Sequence, residues 1–156
     1  DAAVMQGVEL TADWQATDAI ALRARYTYTD SEQKTGDYAG FPLTRTPAHM
    51  ANLRADWITP VEGLSAWAAA NYHGAETNAG IRIGTAGKPV YDAAGKVVAR
   101  RYDPYATVDF GMTYDFNENA TLNAAVYNLF DKRIGVDDFN TVVEGRRLWV
   151  SLTSRF

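Results

Sequence analysis

The sequence has no cysteine among its 156 residues. That excludes a disulfide framework, a thiolate zinc knuckle and thiol chemistry. Histidine is nearly as scarce, with only His49 and His73. The two lack metal-ligand spacing to one another, so no zinc site is expected. His49 falls where a loop enters a strand and His73 where a strand leaves, and both read as ordinary interface or loop residues. No apolar run approaches the ~18 residues of a membrane helix. That removes helical spans alone, because a membrane strand needs only about 9–11 residues with alternate positions apolar. Charge of one sign is also weak. The net charge is −4, no basic cluster is strong, and nucleic acid is not an expected partner. No Ser/His/Asp arrangement and no phosphate-cradling glycine loop is present, so an enzyme is the least supported class. No signal peptide opens the chain. For an exported protein this implies a cleaved leader or a start inside a longer protein.

What is present is period-two alternation, the mark of strands with two different faces. The last stretch shows it most clearly. Leu148, Val150, Leu152, Ser154 and Phe156 share one face, and Arg147, Trp149, Ser151, Thr153 and Arg155 the other. Six further strands are read upstream: Gly7–Gln15, Ala19–Thr29, Ala48–Ile58, Leu64–His73, Tyr105–Phe116 and Ala120–Asn128. Their apolar faces carry residues such as Val8, Leu10, Leu22, Leu53, Phe110 and Leu122. The fourth has the weaker contrast, because Trp67 sits on its polar side. Within the longest connection, Val90–Val98 reads as a small hairpin.

Connections alternate short and long along the whole chain, as periplasmic turns and extracellular loops do in membrane barrels. Aromatics gather at the strand ends of the apolar face. Trp14, Trp57, Tyr114, Phe116 and Phe156 fall at the short-turn end, and Tyr26, Tyr28, Tyr72 and Tyr105 at the long-loop end. Two such girdles are what the two interfaces of a bilayer select. Glu9, Asp13, Arg23, Arg25, Arg54, Asp56, Asp109, Asp115 and Arg155 would then line the lumen of a wide barrel. Buried unpaired charge is costly, so these carboxylates are expected to pair with neighbouring strands or with material filling the lumen. The fold class is therefore all-β: an antiparallel transmembrane β-barrel. Seven strands with the last one ending in the periplasm break the even count of a complete bacterial barrel. The chain reads as part of a larger one.

Certain short segments also carry a family resemblance. Asn128-Leu129-Phe130-Asp131-Lys132, followed by Gly145-Arg146-Arg147-Leu148-Trp149 and a terminal Phe156, resembles the C-terminal end of TonB-dependent outer-membrane receptors of the siderophore branch. Gly7-Val8-Glu9-Leu10 and Pro42-Leu43-Thr44-Arg45-Thr46-Pro47 are similar to that family as well. The resemblance implies a barrel of about 22 strands with a plugged lumen, of which residues 1–156 are the C-terminal part. The plug and the TonB-contacting segment would lie upstream. It implies energy-coupled uptake of a ferric siderophore at the outer membrane of a Gram-negative bacterium. The implied partners are the ferric siderophore, TonB with ExbB and ExbD, outer-membrane lipid and lipopolysaccharide, and the barrel assembly machinery through the final strand. No cofactor is implied, the iron being cargo. Arg146 and Arg147 match the family pattern and are read as seating the final strand.

Binding residues sit on loops held by rigid scaffolds. Arg100, Arg101, Tyr102 and Tyr105 join cations to aromatics at the extracellular mouth, where an anionic ferric catecholate would meet Arg and stack on Tyr. A solvated loop end, or a contact to lipopolysaccharide phosphate, is the plainer reading. Tyr38, Phe41 and Arg45 form a similar candidate in the first long loop. Asp137-Asp138 could hold calcium, although a lone acidic pair is more often solvated. The rival functions are a passive porin or small self-contained barrel, a structural or adhesive barrel, and a soluble β-sandwich or lipocalin-like binder. Within the family, cobalamin, haem and other metal chelates compete as ligands, and the lack of a loop His pair argues against haem.

Overall fold

A computed structural model of the chain describes residues 1–78, 91–134 and 144–156, the side chains of Asn78 and Arg100 excepted. The described residues form strands and no helix. In chain order these are β1 (Ala3–Gln15), β2 (Ile20–Gln33), β3 (His49–Ile58), β4 (Leu64–His73), β5 (Glu76–Asn78), β6 (Arg100–Tyr102), β7 (Tyr105–Asn117), β8 (Ala120–Tyr127) and β9 (Arg147–Ser154). Seven make one sheet in the order β1-β2-β3-β4-β7-β8-β9, and β5 pairs with β6 separately. Each neighbour in the large sheet is thus the next long strand in the chain.

Register carries the alternation across the sheet. Met112 pairs with Ala124 and Ala124 with Val150, while Thr113 pairs with Asn123 and Asn123 with Ser151. Apolar rows therefore align with apolar rows, which a one-residue slip would destroy. The buried apolar side chains among the described residues are few: Pro47, Val97, Tyr102, Ala125 and Ile134. By contrast Leu10 is 60% exposed, Trp14 64% and Val150 69%. An apolar face this extensive needs a covering of hydrocarbon or protein.

The seven long strands fall where alternation places them. The differences lie at the long-connection ends. β1 begins at Ala3 instead of Gly7, and β2 runs on to Gln33 instead of Thr29. Asp30-Ser31-Glu32-Gln33 is polar throughout, so no hydrophobic period marks it. The three-residue strands β5 and β6 are too short to show a period. The small hairpin is present as a Tyr91↔Val97 bridge. Asp92 Oδ1 closes its turn by accepting the N–H groups of Ala94 and Lys96, both at 2.9 Å. Val90 lies outside the described residues.

The chain divides into two compact units, each treated by itself below. One comprises Asp1–Leu10, Tyr26–Met50 and His73–Tyr105; the other comprises Thr11–Arg25, Ala51–Tyr72 and Ala106–Phe156. In the second unit Trp67 explains the weak contrast of β4. Its indole lies on the polar face across Gly111 of β7, where a Cβ would come within 2.2 Å of Nε1. The Arg54 guanidinium stands 4.6 Å over the ring, and Tyr127 tilts against it at 6.1 Å. A glycine inside a strand weakens it, and here it makes the slot that seats a large ring. Gly111→Val is expected to displace Trp67 and cost about 1–3 kcal/mol by overpacking. In the full-length protein in detergent this appears as a lower urea midpoint and altered Trp67 emission. An unchanged midpoint and spectrum would show that the ring does not occupy the slot.

Candidate ligand mouth and polar face

In the first unit, two connections bring the candidate binding residues together. The β2 extension folds back on itself: Gln33 N–H donates to Phe41 O and Gly40 N–H to Gln33 O, both at 2.8 Å. The Leu43 N–H donates to Ser31 Oγ at 3.0 Å. Tyr38 and Phe41 are half-buried in this turn, and Arg45 is exposed. Arg45 takes a left-handed φ of 58°, and its N–H donates to Thr77 O of β5 at 3.3 Å. The first loop is thus tied to the short β5–β6 ribbon.

That ribbon sorts the second candidate group. Glu76 pairs with Tyr102 and Thr77 with Arg101. Successive strand residues point to opposite sides. Tyr102 is 4% exposed, whereas the Arg101 side chain is open to solvent and lies 3.6 Å from Asp103. His73 Nε2 meets the carboxylate of buried Glu76 at 3.2 Å. Tyr105 stacks on the His73 ring at 5.0 Å. The backbone of Arg100 belongs to β6, and its side chain lies outside the described residues. Of the four mouth residues, Arg101 is presented to solvent, and Tyr102 and Tyr105 are held by the ribbon. Tyr105 therefore leaves the aromatic set of the apolar face and joins the polar face with Thr107 and Asp109.

The other aromatics named at the strand ends are not drawn into this ribbon. Trp14, Trp57, Tyr26, Tyr28, Tyr72, Phe116 and Phe156 are exposed, and Tyr114 meets Phe116 edge-on at 4.9 Å. His49 joins them, its Nδ1 2.5 Å from Tyr26 Oη and its ring 5.4 Å from Tyr28.

Several charged side chains of the polar face have partners, on a neighbouring strand or turn or along the same strand. Asp13 Oδ1 accepts from Arg23 Nε at 2.8 Å. Arg54 pairs with Asp56 at 3.1 Å. Asp115 accepts the Thr121 hydroxyl at 2.7 Å, and the Arg155 N–H donates to Asn119 O. Asp109 accepts from Asn71 Nδ2 at 3.2 Å and from the Asn128 N–H at 2.8 Å. Glu9 and Arg25 share the alternation of Asp13 and Arg23. Exposed pairs of this kind contribute about 0–1 kcal/mol each; their use is to leave the face charged yet balanced. Among the described residues no cluster of metal-ligating groups occurs. Asp137-Asp138 lie outside them.

Asn128 and Asp131 belong to the run Asn128-Leu129-Phe130-Asp131-Lys132 and have structural roles that the run itself does not display. Both take left-handed φ values of 53°, a conformation Asn and Asp tolerate better than other side chains. Asp131 Oδ1 accepts the Arg146 N–H at 2.8 Å, and its Oδ2 accepts Arg133 Nη2 at 2.9 Å. These bonds, the Arg146 backbone contact first, hold the Asp131 carboxyl below its ordinary value of 3.8.

An alternating sheet with an uncovered apolar face and a balanced polar one is the wall of an outer-membrane barrel. The chain belongs to the TonB-dependent receptor family: residues 1–129 match the model described as "TonB dependent receptor-like, beta-barrel". It is 36% identical over 156 residues to the iron-regulated outer membrane virulence protein of Vibrio cholerae, covering 100% of this chain and 22% of the relative. It is 31% identical over 163 residues to the metal-pseudopaline receptor of Pseudomonas aeruginosa, covering 97% and 20%. A crystal structure of the ferric enterobactin receptor of Pseudomonas aeruginosa superposes with a TM-score of 0.76 at 28% identity, over 99% of this chain and 22% of that one. The chain thus spans about a fifth of the length of these relatives and forms part of an outer-membrane barrel.

The lowered pKa of Asp131 fixes a sign. A depressed carboxyl adds stability that is complete above the unfolded value and is lost as pH falls through the lower folded value. Asp131→Asn should therefore weaken the connection before β9 at neutral pH, and the difference from the native receptor should close as pH drops well below 3.8. Urea midpoints of both forms across pH would measure this. A difference independent of pH would show that the charge of Asp131 contributes nothing.

Proposed function

We propose that this chain is the C-terminal wall of a receptor that takes up a ferric siderophore across the outer membrane. The supporting observation is the backbone match over nearly the whole chain to a ferric enterobactin receptor. In this reading Glu9, Asp13, Arg23, Arg25, Arg54, Asp56, Asp109 and Asp115 face a lumen holding an upstream plug. Trp14, Trp57, Tyr114, Phe116 and Phe156 lie at one bilayer interface and Tyr26, Tyr28 and Tyr72 at the other. The loops capture the ligand at the cell surface. TonB, driven through ExbB and ExbD, acts on the upstream part to let it pass. Contacts with lipopolysaccharide, and delivery by the barrel assembly machinery, belong to the same reading.

At the mouth, Arg101 is a solvent-facing cation of the β5–β6 ribbon, with Arg45 exposed and its N–H bonded to Thr77 of the same ribbon. A ferric catecholate carries negative charge on flat rings, and an Arg side chain can meet both features. Tyr102 and Tyr105 act one step back, holding the ribbon that presents Arg101. The 31% identity to a metal-pseudopaline receptor makes another anionic metal chelate the second reading.

The test uses the full-length receptor in cells starved of iron. Growth on a ferric catecholate should require both the receptor and TonB. Arg101→Ala should weaken ferric catecholate binding about tenfold, the worth of one charge-assisted contact of about 1.5 kcal/mol. Uptake that persists without TonB would replace the receptor reading with a passive pore. Growth supported by another metal chelate alone would move the ligand class.

A further inference from the structure

The side chains of Asn52 on β3, Asn71 on β4 and Asp109 on β7 form a hydrogen-bonded row within the second unit. Asn52 Nδ2 donates to Asn71 Oδ1, Asn71 Nδ2 donates to Asp109 Oδ2, and Asp109 Oδ1 receives the Asn128 N–H. The row ends on a residue that is only 5% exposed. Asn128 follows Tyr127, the last residue of β8. Its Nδ2 donates to Lys132 O at 2.9 Å and to Glu144 O at 3.0 Å, and its Oδ1 accepts the Lys132 N–H at 2.9 Å. The Leu129 N–H donates to Val108 O of β7 at 2.7 Å. Glu144 and Arg146 immediately precede Arg147, the first residue of β9 and the partner of Tyr127. Gly145 completes the contact, since a Cβ there would lie 2.8 Å from Asp131 Oδ1.

We infer that Asn128 is a register latch: its side-chain amide, with the Asp131 carboxylate, admits β9 beside β8 in one register only. A slip by one residue would turn Leu148, Val150 and Leu152 onto the polar face. A slip by two keeps every side chain on its proper face, so the hydrophobic pattern does not oppose it. That slip moves the Glu144 carbonyl about 7 Å along the strand, out of reach of Asn128 Nδ2, and carries the Arg146 N–H away from Asp131. The latch therefore penalises the one error that lipid leaves open. Asn128 acts by positioning, and Asp109, itself bonded by Asn71, holds its backbone N–H in place.

The absence of cysteine makes the test clean. In full-length receptor freed of any other cysteine, Asn123→Cys with Ser151→Cys reports the native register, because those residues pair directly. Asn123→Cys with Thr153→Cys reports the slip by two. The native background should cross-link the first pair alone. Asn128→Gly keeps the left-handed backbone and removes the amide. It should let the slipped pair cross-link and reduce amide-exchange protection at Arg147–Trp149 about tenfold, with ligand affinity of the folded fraction unchanged. Receptor unfolded in urea and refolded into detergent gives the same readings should assembly in cells fail. Native cross-linking and protection in Asn128→Gly would overturn the latch, leaving only a backbone requirement at 128. Reduced ligand affinity with native register would overturn it too, and assign Asn128 to ligand binding.

Discussion

A strand in hydrocarbon has no water to receive its N–H and C=O groups, and each one left unpaired costs several kcal/mol. Ladder pairing is therefore obligatory here in a way it is not for a strand in water. The consequences run through the whole chain. Each long strand pairs with the next long strand along the sequence, which keeps connections local. Side chains are free to stay unburied on one face, because lipid covers them. That is why Leu10, Trp14 and Val150 stand exposed while only a handful of described apolar residues are buried. The outer edges of β1 and β9 have no partner within the described sheet, and the relatives, several times longer, contain further chain that such edges require.

Once the apolar face is given to lipid, specificity beyond the choice of face must come from the polar one. Charges contribute little there while they stay solvated. Position comes instead from contacts with strict geometry. The Asn52–Asn71–Asp109 row links three strands through amide and carboxylate groups. Trp67 lies in the slot left by Gly111. Cation–π contacts of Arg54 with Trp67 and Arg147 with Tyr127 add roughly 0.5–1 kcal/mol each at such exposure. These groups place side chains more than they add stability, which suits a wall that must hold its shape against a lumen.

The wall was legible in the sequence because the bilayer writes its demand into every second residue. Strand positions, the apolar face and the alternation of connections followed from that pattern. What escaped it was structure made by single residues. The β5–β6 ribbon is too short for a period, so the burial of Tyr102 beside exposed Arg101 could not be read from the run Arg100-Arg101-Tyr102. Tyr105 looked like a girdle residue by its place at a strand end, yet parity put it on the His73 side. Trp67 blurred the contrast of β4 because its need for a glycine two strands of sequence away is invisible locally. Asn128 and Asp131 carried a usable signal: two residues tolerant of left-handed φ, three apart at a strand end, with a glycine before the next strand.

The mouth and the clasp at Asn128 solve the same problem with different means. A loop over a barrel must present chemistry without loosening the strands that anchor it. At the mouth, β5 and β6 extend strand logic into the loop, so alternation turns Tyr102 inward and Arg101 outward. Glu76, His73 and Tyr105 fasten that ribbon to the start of β7. Before β9, the side chains of Asn128 and Asp131 do this by satisfying backbone groups on both sides of the connection. Each device ties down the ends of a connection. The sequence between the ends is then free to vary without disturbing the ladder that the membrane demands.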